Sequence, residues 1–230
     1  MRHLLLAPLM CLALGAALAG PFEDGSAAYM RRDYATALRI WQPLAQQGNA
    51  PAQHNLGIMY AQGQGVPQDF SEALKWYRRA ADRGYAPAQQ NLGLMHARGQ
   101  GVPKDIAEAV RWHLKAANQG YAPAQTNLAF AYAKGLGVPQ DFSEAVKWYR
   151  RAADQGNADA QHNLGHMYAD GRGVPVDYVR AYMWIELAVA HQTDPKEREI
   201  SIKSRDTIAR TMTPERIAEA QTLARKWRSK

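Results

Sequence analysis

Three side chains late in the chain have the types and spacing of metal ligands. His162, His166 and Asp170 fall at i, i+4 and i+8, so a helix sets all three on one face. Two histidines four residues apart chelate zinc, nickel or copper when further ligands complete the shell. Eight residues, however, rise about 12 Å along a helix axis, too far for one ion to reach Asp170 as well. The pattern therefore reads as no metal site and no bound cofactor. It reads instead as two groove histidines that titrate near neutrality.

Nucleophile chemistry has less support. Gly-x-Ser-x-Gly, His-Glu-x-x-His and the phosphate-binding glycine loop are absent from the sequence. Ser71 and Lys75 stand four apart, one too many for a Ser-x-x-Lys pair. Lys75, Arg78 and Arg79 form a basic cluster of a kind that binds phosphate. With Glu72 beside Lys75, a solvated outer face explains it more simply. The tryptophans and tyrosines could stack sugars, but they recur at fixed positions, which marks them as core.

The elements that position these residues repeat every 36 residues. Asn-Leu-Gly stands at Asn55, Asn91 and Asn163, and Asn127-Leu128-Ala129 fills the gap. Gly-x-Gly-Val-Pro-x-Asp follows from Gly63, Gly99, Gly135 and Gly171, and a tryptophan follows at Trp76, Trp112, Trp148 and Trp184. Units of this length cannot close a core alone, so each must bury its apolar face on the next.

Within the unit 50–85, Ala52, Leu56, Met59 and Tyr60 recur at helical spacing. Pro51 fits a first helical turn, Gly63 a left-handed stop, and Pro67 forbids continuation. Gly57 in mid-helix predicts a close approach of a neighbouring helix. Asp69 opens a second helix, with Glu72 placed for a reciprocal capping box; Asp105/Glu108 and Asp141/Glu144 repeat the pair. In the fourth unit Arg180 follows Asp177, so half of that device is expected to survive.

Residues 20–49 read as a shortened first unit, with a tight turn at Met30-Arg31-Arg32 and a kink at Pro43. Full units follow at 50–85, 86–121, 122–157 and 158–194. Residues 195–230 read as C-terminal capping helices, the last opened by Thr213-Pro214-Glu215 and buried along Ile217, Ala220, Leu223, Ala224 and Trp227.

Residues 1–19 read as a signal peptide. Arg2 and His3 precede an apolar run from Leu4 to Leu18, and Ala17-Leu18-Ala19 is a small-x-small cleavage site. The run is too short to span about 30 Å of hydrocarbon comfortably, so no stable membrane anchor is expected after cleavage. Cys11 lies inside it and is the one cysteine, so the processed chain has no disulfide. The destination is periplasmic or secreted. Net charge is +7, but residues 20–194 carry 17 basic and 16 acidic side chains. An evenly neutral array is not a nucleic-acid face.

The pattern Ala-x-Ala-Gln-x-Asn-Leu-Gly-x-Met-Tyr-Ala-x-Gly-x-Gly-Val-Pro-x-Asp-x-x-Glu-Ala-x-x-Trp resembles the Sel1-like repeat, a relative of the tetratricopeptide repeat. The resemblance covers about residues 22–194. It implies an all-α fold, a right-handed α-solenoid of antiparallel helix pairs with a C-terminal capping helix. It also implies that first helices line a concave groove and that the protein is an adaptor or scaffold. Some cysteine-rich secreted members are described as β-lactamases, but Ser-x-x-Lys, Ser-Asp-Asn, Lys-Thr-Gly and the cysteines are missing here.

Comparing units separates frame from recognition. Three first-helix positions, four residues apart, vary freely: His54/Ile58/Gln62, Gln90/Leu94/Arg98, Thr126/Phe130/Lys134 and His162/His166/Asp170. A variable stripe on a constant frame is what a binding surface shows, and Leu94 and Phe130 are apolar where drift would favour polar residues. The expectation is one continuous surface centred on Leu94, Arg98, Phe130, Lys134, His162 and His166. Arg98 and Lys134 would orient an acidic partner, and Asp170 would discriminate against anions. The functional expectation is thus a non-catalytic, monomeric adaptor for a protein or peptide. The alternative is a cell-envelope hydrolase or glycan-binding protein.

Overall fold

The computed structural model describes residues 20–228. The signal-peptide segment, its cleavage site and Cys11 lie outside the described residues, as does Lys230. Among the described residues there are twelve α-helices and no strand. The N-terminal unit is α1 (Pro21–Met30) and α2 (Tyr34–Gln46). Four helix pairs follow: α3 (Ala50–Gln62) with α4 (Phe70–Asp82), α5 (Ala86–Arg98) with α6 (Ile106–Asn118), α7 (Ala122–Lys134) with α8 (Phe142–Asp154), and α9 (Ala158–Asp170) with α10 (Tyr178–His191). Two further helices close the chain, α11 (Pro195–Ala209) and α12 (Pro214–Arg228).

Turn chemistry explains the regularity. Gly63, Gly99, Gly135 and Gly171 each end a first helix in the left-handed region, φ 67 to 70°. Asp69, Asp105, Asp141 and Asp177 cap the second helices by accepting backbone N–H bonds. The expected reciprocal half of the capping box is not made. The N–H of Asp69 donates to the Tyr60 carbonyl at 2.9 Å, and Asp105, Asp141 and Asp177 do the same to His96, Tyr132 and Tyr168. With that donor already satisfied across the loop, Glu72 pairs with Lys75 at 2.9 Å, Glu108 with Arg111 and Glu144 with Lys147. The fourth unit has the same aspartate cap as the others, and Arg180 exchanges the exposed glutamate pair for one with Asp177 itself at 3.5 Å. In the first unit α2 runs on past Pro43 to Gln46, and Arg32 makes the tight turn with φ +62°.

The two helices of a pair meet closely where a side chain is missing. A Cβ on Gly57 would come within 2.5 Å of the Tyr77 ring, and Gly93 and Gly165 face His113 and Ile185 in the same way. This is the close approach that mid-helix glycine predicts. A buried glutamine ladder ties each layer to the one before. Gln53, Gln89, Gln125 and Gln161 donate at 2.9–3.2 Å to the carbonyls of Ala45, Ala81, Ala117 and Ala153, near the ends of the preceding second helices. Each of these carbonyls also accepts the N–H of the glycine three residues on, Gly48, Gly84, Gly120 or Gly156, so the glutamine adds a second bond at the helix end. The basic outer cluster is partly absorbed by packing: Arg79 lies over the Trp76 ring at 4.6 Å, and Arg78 reaches across to Trp112 at 4.9 Å.

The C-terminal pair seals the last repeat. Trp227 of α12 meets Trp184 with centroids 6.1 Å apart and His191 at 5.5 Å. Helix α11 docks by different means. Only Ser201 and Ile208 are fully buried in it, Arg205 pairs with Glu186 at 3.0 Å, and Asp194 caps its first turn.

Candidate protein-binding face

The four variable triplets lie on the first helices, but the fold gives them different surroundings. At the N-terminal end His54 is wedged between layers. Its Nε2 stands 3.0 Å from Asn91 Nδ2, and its ring contacts Tyr77 and Tyr85. Burial lowers its pKa to about 4. Gln90 is buried at 6% exposure. Thr126 sits with Oγ1 3.0 Å from the Ala122 carbonyl and 3.1 Å from Asn157 Oδ1. These three belong to the inter-layer packing.

Ile58 lines an apolar hollow with Tyr29, Met30 and Trp41. Gln62, Leu94 and Arg98 line a notch of about 300 Å³ floored by Phe70 and Tyr77. Phe130 and Lys134 line a second, of about 90 Å³, floored by Phe142 and Tyr149. Phe130 is 46% exposed, a large aromatic left in water. Arg98 and Lys134 are exposed, and neither pairs with an acidic side chain among the described residues.

The C-terminal triplet departs from expectation. His162 Nδ1 lies 2.9 Å from Ser201 Oγ and His166 Nε2 lies 3.2 Å from Ser204 Oγ, both serines on α11. The two rings are 4.6 Å apart. Burial, reinforced by the neighbouring His166, lowers the His162 pKa to about 4. Burial also lowers that of His166. The expectation of two histidines titrating near neutrality is therefore corrected: α11 covers them and keeps them uncharged. Asp170 is exposed and pairs with Arg172 at 3.3 Å. Among the described residues no group of three His, Cys, Asp or Glu stands together as a metal shell. The single continuous surface is likewise corrected. Packing removes His54 and Gln90, and α11 closes the face beyond His162.

Two contributors escape the residue pattern. Helix α11, within the segment read as capping helices, carries charge at seven of its fifteen positions and no apolar stripe, so periodicity does not reveal that it docks over the histidine face. The aromatic notch floors read from sequence as core alone. Their signal is that Phe70/Tyr77 and Phe142/Tyr149 match, whereas the unit between them has Ile106 and His113.

Comparison with known proteins agrees with this architecture. The family model described as Sel1 repeat matches residues 11–49, 50–85, 86–121, 122–157 and 158–191. A Sel1 repeat protein from Oxalobacter formigenes is 30% identical with TM-score 0.71, covering 82% of this chain and 83% of its own. A protective antigen of uropathogenic Escherichia coli strains, displaying an SLR fold, is 27% identical with TM-score 0.58 over 90% of this chain. The chain spans 52% of that antigen's length. A putative Sel1 repeat protein from Klebsiella pneumoniae, 20% identical with TM-score 0.53 over 82% of this chain and 91% of its own, shares the fold. Among curated proteins none matches.

Proposed function

From the premise that the chain belongs to the Sel1 repeat family, whose fold is a scaffold for protein interactions, we propose that it is an exported, monomeric, non-catalytic adaptor. It binds a protein or peptide on the open stretch of its first-helix face, from Ile58 to Lys134. One observation carries this reading. On that stretch an exposed Phe130 and half-buried Leu94 stand beside two cations, Arg98 and Lys134, that the fold leaves unpaired. Apolar anchors contribute affinity and rim cations orient an acidic partner. Beyond the stretch, at its C-terminal end, the chain itself occupies the face through Ser201 and Ser204 of α11.

Arg98→Ala with Phe130→Ala is expected to abolish partner capture from envelope extract with the melting temperature unchanged. The matched control is Lys75→Ala with Arg111→Ala on the outer face, where each residue makes only an exposed ion pair. Loss of capture in the control but not in the groove pair would place the partner on the other side. Hydrolysis of β-lactam or cell-wall substrate by purified protein, beyond a heat-killed blank, would favour the enzyme alternative.

Export rests on Arg2, the apolar run Leu4–Leu18 and the site Ala17-Leu18-Ala19. No helix among the described residues is long and apolar enough to cross a membrane. N-terminal sequencing of protein from an envelope fraction is expected to begin at Gly20; a chain retaining Leu4–Leu18 overturns it.

A further inference from the structure

The two notches on the open face are copies of one another. Of the ten residues lining the notch at Tyr77, nine have their counterpart 72 residues later in the lining of the notch at Tyr149. Both have a phenylalanine and a buried tyrosine as floor. Both carry one net positive charge at the rim. Arg98 supplies it in the first; in the second it is Lys134, since Arg172 and Asp170 offset each other at 3.3 Å. The unit between them has Ile106 and His113 where the notches have their aromatic floors. Helix α11 bounds the second notch, through Ser204 on its lining residue His166.

We infer that the two notches form one bidentate site for an acidic, extended peptide segment that carries two apolar side chains six residues apart. The inference rests on the groove reading above and narrows its partner. The spacing follows from the repeat. Equivalent helices of stacked layers lie about 10 Å apart, so notches two layers apart are separated by about 20 Å. An extended chain rises about 3.3 Å per residue and covers that distance in about six. Six is even, so both side chains point to the same side of the strand and enter both notches together. An odd separation would turn one of them to solvent. The acidic character follows from Arg98 and Lys134, which have no carboxylate of the chain to answer them. Two joined anchors also bind better than either alone, because the second enters at high effective concentration.

The test selects peptides from a randomised twelve-residue displayed library on the purified protein, then measures individual synthetic peptides by fluorescence anisotropy. Enriched peptides are expected to carry apolar residues at i and i+6 with acidic residues around them. Arg98→Glu and Lys134→Glu, both exposed, should each weaken a selected peptide about tenfold, and alanine at either anchor should do the same. Moving one anchor from i+6 to i+3 should be as damaging as removing it. If selected peptides need only one anchor, or respond to one charge reversal and not the other, the bidentate site is wrong while the groove stands. If binding ignores both reversals and also ignores Leu94→Ala with Phe130→Ala, peptides bind elsewhere and the groove reading falls with it. No enrichment, or enrichment of basic peptides, overturns the partner class.

Discussion

Helices α7 and α9 are built alike. Each has 13 residues, a proline or aspartate in the first turn, a left-handed glycine at its end and the same buried Ala-Gln-Leu pattern. Yet Phe130 on α7 stands 46% exposed, while the corresponding His166 on α9 sits under α11. The difference does not come from the helices. It comes from a segment some 40 residues further on that lies down on one unit and leaves the next one bare. In a stacked protein the exposure of a position is decided by the chain beyond the last repeat as much as by the repeat itself.

The strongest way to break this comparison is to remove what holds the closed end. Deleting residues 212–230 takes away α12 and with it Trp227 and Leu223. Large side chains contribute roughly 1.5–3 kcal/mol each when fully buried; Ile217, Leu223 and Trp227 are half-buried and Ala220 and Ala224 buried, so together about 3–5 kcal/mol should be lost. For a chain of this size that is a fall in melting temperature of roughly ten degrees, with aggregation through the bared α10. Scanning calorimetry of both proteins checks it; equal melting temperatures would mean α12 contributes nothing to the closed end.

Acid should act next, and with a definite sign. His54, His113 and His162 protonate at about 4 in the folded chain and near 6.5 when unfolded. Between those values the unfolded chain holds more protons, so stability falls as pH drops from about 6.5 to about 4 and is level above 6.5. His113→Tyr, which installs the residue of Tyr77 and Tyr149, should flatten that slope, and so should His162→Gln at the closed end. Urea titrations from pH 4.5 to 7.5 measure it; an unchanged slope in both variants would refute the buried, uncharged state of these rings.

The smallest effect should come from the polar seam itself. Ser201→Ala with Ser204→Ala removes the two hydroxyls that meet the histidines, at about 0.5–1.5 kcal/mol for each bond. Amide hydrogen exchange should quicken over 195–209 and remain unchanged in α5 and α7. Uniform quickening across the chain would mean that α11 is part of a single cooperative unit and not a separately docked one.

How far the residues foretell this structure depends on what kind of signal each element carries. Gly63, Pro67, Asp69 and Trp76 act through their own backbone or side-chain physics, so their roles are legible. The capping box misleads because Glu72 competes with a partner invisible in the pattern, the Tyr60 carbonyl that already holds the N–H of Asp69. The glutamine ladder is silent because a polar residue in a helix normally reads as surface, and only the stacking of layers puts Gln161 at 0% exposure. The histidines mislead for the same reason as α11. A helix that docks on a polar floor needs no apolar stripe, so nothing in residues 195–209 announces the contact. The variable face is visible as a pattern, but which part of it stays open is not.

The glutamine ladder has a consequence for how the chain reaches its shape. Gln53 finds its carbonyl eight residues back, and the same interval serves every later layer. Among the described side-chain hydrogen bonds none joins residues more than 42 apart. Loop closure is therefore short at every step, and local topology of this kind folds fast. A chain emerging N-terminus first can lock each layer onto the one already formed, without waiting for its far end. Only the last layer keeps its far side uncovered until α11 and α12 arrive.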